Sequence, residues 1–224
     1  MYGLPLELQS SVYLQFENCL AGSRFQTSIY HKAMESHPDT QLIVFPELAV
    51  TGYQCGENFK DLAETATIDS TSIKKMSALA KEFHVHIVYG MTEKEEDILY
   101  NSQFFLDDTG VLLGTYRKVH LFDSEKNYFT PGDQFKVFDT KIGRIGLFIC
   151  YDAFFPEAAR SLAIQGVDLF GHTRILDPLG RILTSINDEK DGIIHASLDY
   201  DIAKQMKHDY YTMLTERRPD VYIA

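Results

Sequence analysis

Two unbroken apolar runs, Gln41 to Pro46 (QLIVFP) and His84 to Tyr89 (HVHIVY), constrain the fold more than any other feature of this sequence. A strand with one wet face alternates apolar and polar residues. A short run without that alternation, bounded by turn residues, is the pattern of a central parallel strand covered on both faces. Between the two runs, Ser72 to Phe83 carries Ile73, Met76, Leu79 and Ala80 at helical spacing. Upstream, VYLQF (Val12 to Phe16) predicts a first strand, and after a turn at Gly22 a helical stretch runs from about Gln26 to Met34. The order βαβαβ is that of an α/β sheet.

From about residue 98 the texture changes to antiparallel ribbon. SQFFLDDTGVLLGTYRK holds an Asp-Thr-Gly turn between two apolar runs, and FKVFDTKIGRIGLFIC holds a Lys-Ile-Gly turn, so each predicts a hairpin. Pro156 then opens a helix at its first turn, Ala158 to Ile164 fills it, and Gly166 stops it before a strand over Val167 to Phe170. TRILDPLGRILTSI predicts another hairpin, followed by GIIHASLDYD and a polar end.

With 224 residues, the chain is long enough for one substantial core, and a single domain over 1–224 is expected. The formal net charge of −11, without a run of Lys or Arg, disfavours nucleic acid as a partner. No basic segment followed by an apolar stretch opens the sequence, and no window is long enough to span a bilayer, so the expectation is a cytoplasmic protein without a membrane partner. Three cysteines, Cys19, Cys55 and Cys150, are an odd number at irregular spacing. That pattern argues for free thiols in a reducing compartment.

Cys150 ends an apolar strand, Gly146 to Ile149, and precedes a tight Tyr-Asp-Ala-Phe-Phe connection into the Pro156 helix. A nucleophile lifted out of a sheet on such an elbow meets backbone N–H groups able to face an oxyanion. Free cysteines are more often small buried hydrophobes, so this signal alone does not decide. Glu47 follows the Leu42–Phe45 run directly after Pro46, at the edge where α/β proteins place ligands. Partial burial there would raise its pKa toward that of a general base, whereas a loop position would leave it in water. Lys118, in TYRKVHLF, is either an oxyanion-stabilising cation or an edge lysine that discourages aggregation. Glu125 sits in the charged loop DSEKNYFTPGD, and His120 reads as a residue that orients Lys118. His84 and His86, two apart on a predicted strand, would share a face, but no third ligand lies at metal spacing, so no metal is expected.

Taken together, FPELAVTGY, YRKVHLFD, EKNYFTPGD and ICYDAFFPEAAR occur in an order that resembles the nitrilase (carbon-nitrogen hydrolase) superfamily, and TERRPDVY resembles its usual ending. The resemblance implies an α/β fold: a four-layer αββα sandwich of mixed sheets with helices on the outer faces. It also implies that Glu47, Lys118 and Cys150 form the catalytic set, with Glu125 helping to position substrate and lysine. Lys118 and the Tyr151 backbone N–H would hold the oxyanion. Tyr53, Tyr128, Tyr151 and Phe154, which flank the matching strings, are candidate substrate-binding residues. The implied substrate is a small amide, carbamoyl compound or nitrile, hydrolysed without a cofactor by a homo-oligomer. An inactive binding or assembly subunit is the alternative.

One stretch departs from the family pattern. Between VDLF and GHTRILDPLG, members carry a further strand, a helix with Arg-Ala-x-Glu-Asn and another strand, whereas here Phe170 meets Gly171 directly. A missing segment is expected between 170 and 171, either truly deleted or dropped between two ordered pieces. In the second case the Cα atoms of these residues would lie well beyond the ~3.8 Å of a trans peptide. Intact flanks favour that case.

Overall fold

The unbroken apolar runs become adjacent parallel strands. The computed structural model describes residues 27–167 and the strands Gln9–Gln15, Leu169–Phe170, Arg174–Leu176, Ile182–Ser185 and Gly192–Leu198. In chain order the first elements are β1 (Gln9–Gln15), α1 (Thr27–Ser36), β2 (Thr40–Val44), a one-turn α2 (Phe59–Leu62), α3 (Thr71–Phe83) and β3 (His86–Glu95). β4 (Ile98–Leu106), β5 (Leu112–Arg117), β6 (Val137–Thr140), β7 (Gly143–Gly146), α4 (Pro156–Ile164) and β8 (Leu169–Phe170) follow, then β9 (Arg174–Leu176), β10 (Ile182–Ser185) and β11 (Gly192–Leu198). One sheet runs β11-β1-β2-β3-β4-β5, with β1, β2 and β3 mutually parallel and the remaining pairs antiparallel. The other runs β6-β7-β8, and β9 pairs with β10.

Why the central runs lack alternation follows from what covers them. Ile43, Ile87, Tyr89 and Phe104 pack with Tyr30 of α1 and Ile73, Met76 and Leu79 of α3. Their neighbours Leu42, Val88 and Phe105 point the other way, onto Phe138 and Ile145 of the second sheet and Ile149 just beyond it. Both faces of the central strands β2, β3 and β4 are therefore covered. On the far face of the small sheet a Cβ on Gly146 would sit 2.8 Å from Leu162 of α4, so that helix lies tight against β7. The layers are helix, sheet, sheet, helix, as the resemblance implied.

Three local readings are corrected. His84 is not in a strand: it caps α3 in a left-handed conformation, φ 53°, and its N–H returns to Ala80 O, so β3 starts at His86. The two histidines share no strand face, and the described residues hold no group of three side chains suited to a metal. β7 spans Gly143–Gly146 and stops where its described pairing with β8 stops, rather than running from Gly146 to Ile149. Strand β3 also continues past Tyr89 to Glu95, since β4 pairs with it along nine residues. Gly171, and with it the expected gap after Phe170, lies outside the described residues, as do Cys19 and the TERRPDVY ending.

Candidate active site

Glu47 leaves the sheet one turn beyond β2. Phe45 N–H still bonds to Val88 O, at 2.7 Å, and Val50 N–H bonds to Gly90 O, at 3.1 Å, so the Pro46-Glu47-Leu48 turn lies flat on β3. It can do so because residue 90 is glycine: a Cβ there would stand 2.6 Å from Pro46 O. Leu48 adopts φ 50°, a left-handed conformation uncommon outside glycine, which aims the preceding glutamate back over the strand ends.

Lys118 follows β5, and its backbone is held on both sides. Its N–H donates to Asn101 O and its carbonyl accepts from Gly132 N–H, each at 2.8 Å. Its side chain is fully buried, and Nζ donates to Glu47 Oε1 at 2.6 Å and to Glu125 Oε1 at 2.9 Å. An ammonium has three donors, so one remains for a ligand. Burial opposes the charge on Lys118, but Glu47 and Glu125 outweigh it and lift the lysine pKa above its usual value, keeping it a cation.

The two glutamates are not equivalent. Burial dominates at Glu47 and raises its pKa, despite Lys118 and the Asn101 amide, which donates to the same Oε1 at 2.6 Å. Glu125 is buried too, yet Lys118, the Phe122 N–H (2.9 Å to Oε2) and the Tyr53 hydroxyl bind it and hold its pKa below the ordinary range. Glu125 therefore stays ionised as an anchor, while Glu47 is the carboxylate poised to exchange a proton.

Cys150 completes the group. It has φ 42° and opens a 3-10 turn over Cys150–Phe154; the residue is exposed overall, while its thiol is desolvated enough, and near enough to Glu47, for both to act on it. Left-handed non-glycine residues cluster at functional sites, where surrounding structure holds them. Burial, then the Glu47 charge, pushes the thiol up to about 11, against the opposing pull of Lys118. It rests as a thiol and needs a base to react. The next N–H, on Tyr151, belongs to the N-terminal end of the turn, where backbone donors lack helical acceptors.

The elbow is pinned from below by a residue that sequence reasoning missed. Asp152 is fully buried; Oδ2 accepts from Tyr116 OH (2.7 Å) and Ile149 N–H (2.9 Å), while Oδ1 accepts from the backbone N–H (2.9 Å) of His120 and bonds its Nδ1 (2.8 Å). His120 thus ties the elbow to the Lys118 segment instead of contacting the lysine itself. The chain leaves strand geometry after Arg117, so residues 118 and 120 no longer share a face. Asn101 was missed as well. An Asn-Ser-Gln run inside the otherwise apolar ILYNSQFFL strand was the available signal, as was the lone acid in the aromatic elbow.

A cavity of about 440 Å³ opens beside Glu125. Tyr53 and Tyr128 line it with Phe59, Phe122 and Phe129, so two of the four candidate binding residues reach it. Tyr151 packs edge-on against Phe122 at 5.1 Å, at the cavity margin. Phe154 is 75% exposed and stands outside the lining.

Comparison with known proteins decides the family. The sequence model of the family described as carbon-nitrogen hydrolase matches residues 24–170. The chain belongs to the carbon-nitrogen hydrolases. It is 38% identical to a probable nitrilase of Schizosaccharomyces pombe over 243 residues, covering 88% of this chain and 89% of the relative. That aligned stretch is longer than the whole 224-residue chain, so the relative carries internal residues without a counterpart here. An N-carbamoylputrescine amidase of Solanum tuberosum is 28% identical, covering 81% of this chain and 82% of the relative. The crystal structure of Saccharomyces cerevisiae Nit3, a member of branch 10 of the nitrilase superfamily, shares the fold, with a TM-score of 0.82 at 24% identity over 96% of this chain and 97% of that one. The protein is a carbon-nitrogen hydrolase of the nitrilase superfamily, and no helix among its described residues is long and apolar enough to cross a membrane.

Proposed function

We propose that this hydrolase cleaves a small amide, N-carbamoyl compound or nitrile through a thioester on Cys150. One observation carries the reading: Glu47 holds Lys118 with one oxygen and lies close enough to Cys150 for its charge to act on the thiol. For an amide, the S–H proton passes to Glu47 as sulfur bonds the carbonyl carbon. The free donor of Lys118 and the Tyr151 N–H receive the developing oxyanion. Glu47 then gives its proton to the nitrogen, the C–N bond breaks, and ammonia or an amine leaves a thioester. Water, deprotonated by Glu47, attacks the thioester carbon; the C–S bond breaks, the thiol regains the proton, and the acid departs. Glu125 stays ionised and keeps Lys118 in place.

The aromatic cavity beside Glu125, which Glu47, Lys118 and Cys150 adjoin without lining it, suits a compact substrate group held by Tyr53 and Tyr128, with Tyr151 and Phe154 outside that lining. Similarity to the N-carbamoylputrescine amidase of Solanum tuberosum supports the same class. The reading extends to a homo-oligomer in the cytoplasm, where free thiols persist; sedimentation of the purified chain reads the oligomeric state. Ammonia release measured over short amides, N-carbamoyl amines and nitriles tests the activity. At least one compound should be hydrolysed, and Cys150→Ala should abolish it. The inactive-subunit alternative gains from the internal residues that the fission-yeast relative has and this chain lacks. It predicts release from none of these compounds with the Glu47, Lys118 and Cys150 cluster intact.

A further inference from the structure

The geometry points to Asn101 as a positioning residue that dictates which oxygen of Glu47 carries the proton; the inference rests on the reading of Glu47 as the base. Asn101 lies in β4, 1% exposed, and its amide nitrogen donates to Glu47 Oε1 at 2.6 Å. The same oxygen accepts from Lys118 Nζ at 2.6 Å. Two donors, one of them a cation, therefore converge on Oε1. A proton arriving on that atom would have to displace one of them and would face an ammonium. Oε2 carries neither bond, so the proton taken from the thiol settles there. Oε2 is then the atom that returns it to the departing nitrogen.

Asn101 is suited to this role because its amide N–H is always a donor and has no charge to lose. Its backbone adds a second hold, since its carbonyl accepts the Lys118 N–H at 2.8 Å. The amide also reaches Glu125 Oε1, at 3.4 Å, so one side chain spans both carboxylates. Its own Oδ1 is buried without a hydrogen-bond partner among the described residues. A buried amide that leaves its acceptor unsatisfied is costly for stability alone, which argues that its donors are kept for the site.

The charged groups facing Glu47 are Lys118 and Glu125, with the Cys150 thiol opposite. Removing the Asn101 donor leaves all three and weakens chiefly the ionised form of Glu47, since its bond to Glu47 is 2.6 Å and its reach to Glu125 is 3.4 Å. The experiment compares the pH dependence of kcat/KM for wild type and Asn101→Leu on an amide that the wild type hydrolyses. The pH dependence of Cys150 alkylation by iodoacetamide is followed in parallel. Loss of a hydrogen bond to a charged group should move the acidic limb of both profiles upward by about one pH unit or more. It should also lower kcat more than tenfold with KM changed less than threefold. If Asn101→Leu melts early, Asn101→Ala removes the donor without adding a charge, and the same upward displacement is expected. Acidic limbs that coincide with wild type in the folded variant would overturn the inference. A wild type that hydrolyses no compound would instead overturn the reading of Glu47 beneath it.

Discussion

At Glu47 and Glu125 two identical side chains around one lysine are driven apart by their other partners. Lys118, the Phe122 N–H and the Tyr53 hydroxyl hold Glu125 ionised, whereas burial dominates at Glu47 and raises it. Activity in acid should therefore follow Glu47, which must be ionised to accept the thiol proton. Because its pKa is raised, kcat/KM should fall with an apparent pKa above the ~4.3 of an ordinary glutamate. On the alkaline side Lys118 is also raised and the thiol stands at about 11, so neither should cost activity in mildly basic solution. A pH–rate profile checks both limbs. Glu47→Gln should lower kcat by about 10²–10⁴-fold with an unchanged circular dichroism spectrum, because it removes the proton acceptor and keeps the volume. These residues were legible as an ordered set, since each lies in a string whose order resembled a family. Asn101 was not, because a polar residue inside an apolar strand does not reveal which way it faces.

Elements decide whether those side chains can meet. Gly90 lets the Glu47 turn lie on β3, and Asp152 ties the elbow to Tyr116 of β5 and to His120 beyond it. Asp152→Asn keeps the shape but removes a charge that binds four polar groups. It should destabilise the fold by about 2–3 kcal/mol, measured by denaturant unfolding, and lower kcat as the elbow loosens. The sequence showed the elbow itself, from an apolar run, a cysteine and a Pro-led helix. It did not show where β7 stops, because strand ends depend on the neighbour, and the described pairing with β8 is at Ile145 and Gly146. Likewise His84 looked like strand, yet a histidine in the left-handed conformation closes α3 just as glycine would.

For the whole molecule, the four layers follow from two periodicities read together: unbroken apolar strands at the centre and one-sided helices on each flank. Phe104 and Phe105 show why both faces matter, since one packs toward α1 and α3 and the other toward the second sheet. Either one changed to Ala should cost about 3–5 kcal/mol in denaturant unfolding, a similar loss from opposite faces. The central claim, that Cys150 attacks a C–N substrate and carries its acyl group, is tested most directly by intact-protein mass spectrometry on samples acid-quenched during turnover of a hydrolysed amide. The account predicts a mass increase equal to the acyl group, located on the peptide containing Cys150 and absent from Cys150→Ala. Ammonia release that persists in Cys150→Ala, without an adduct, would contradict it.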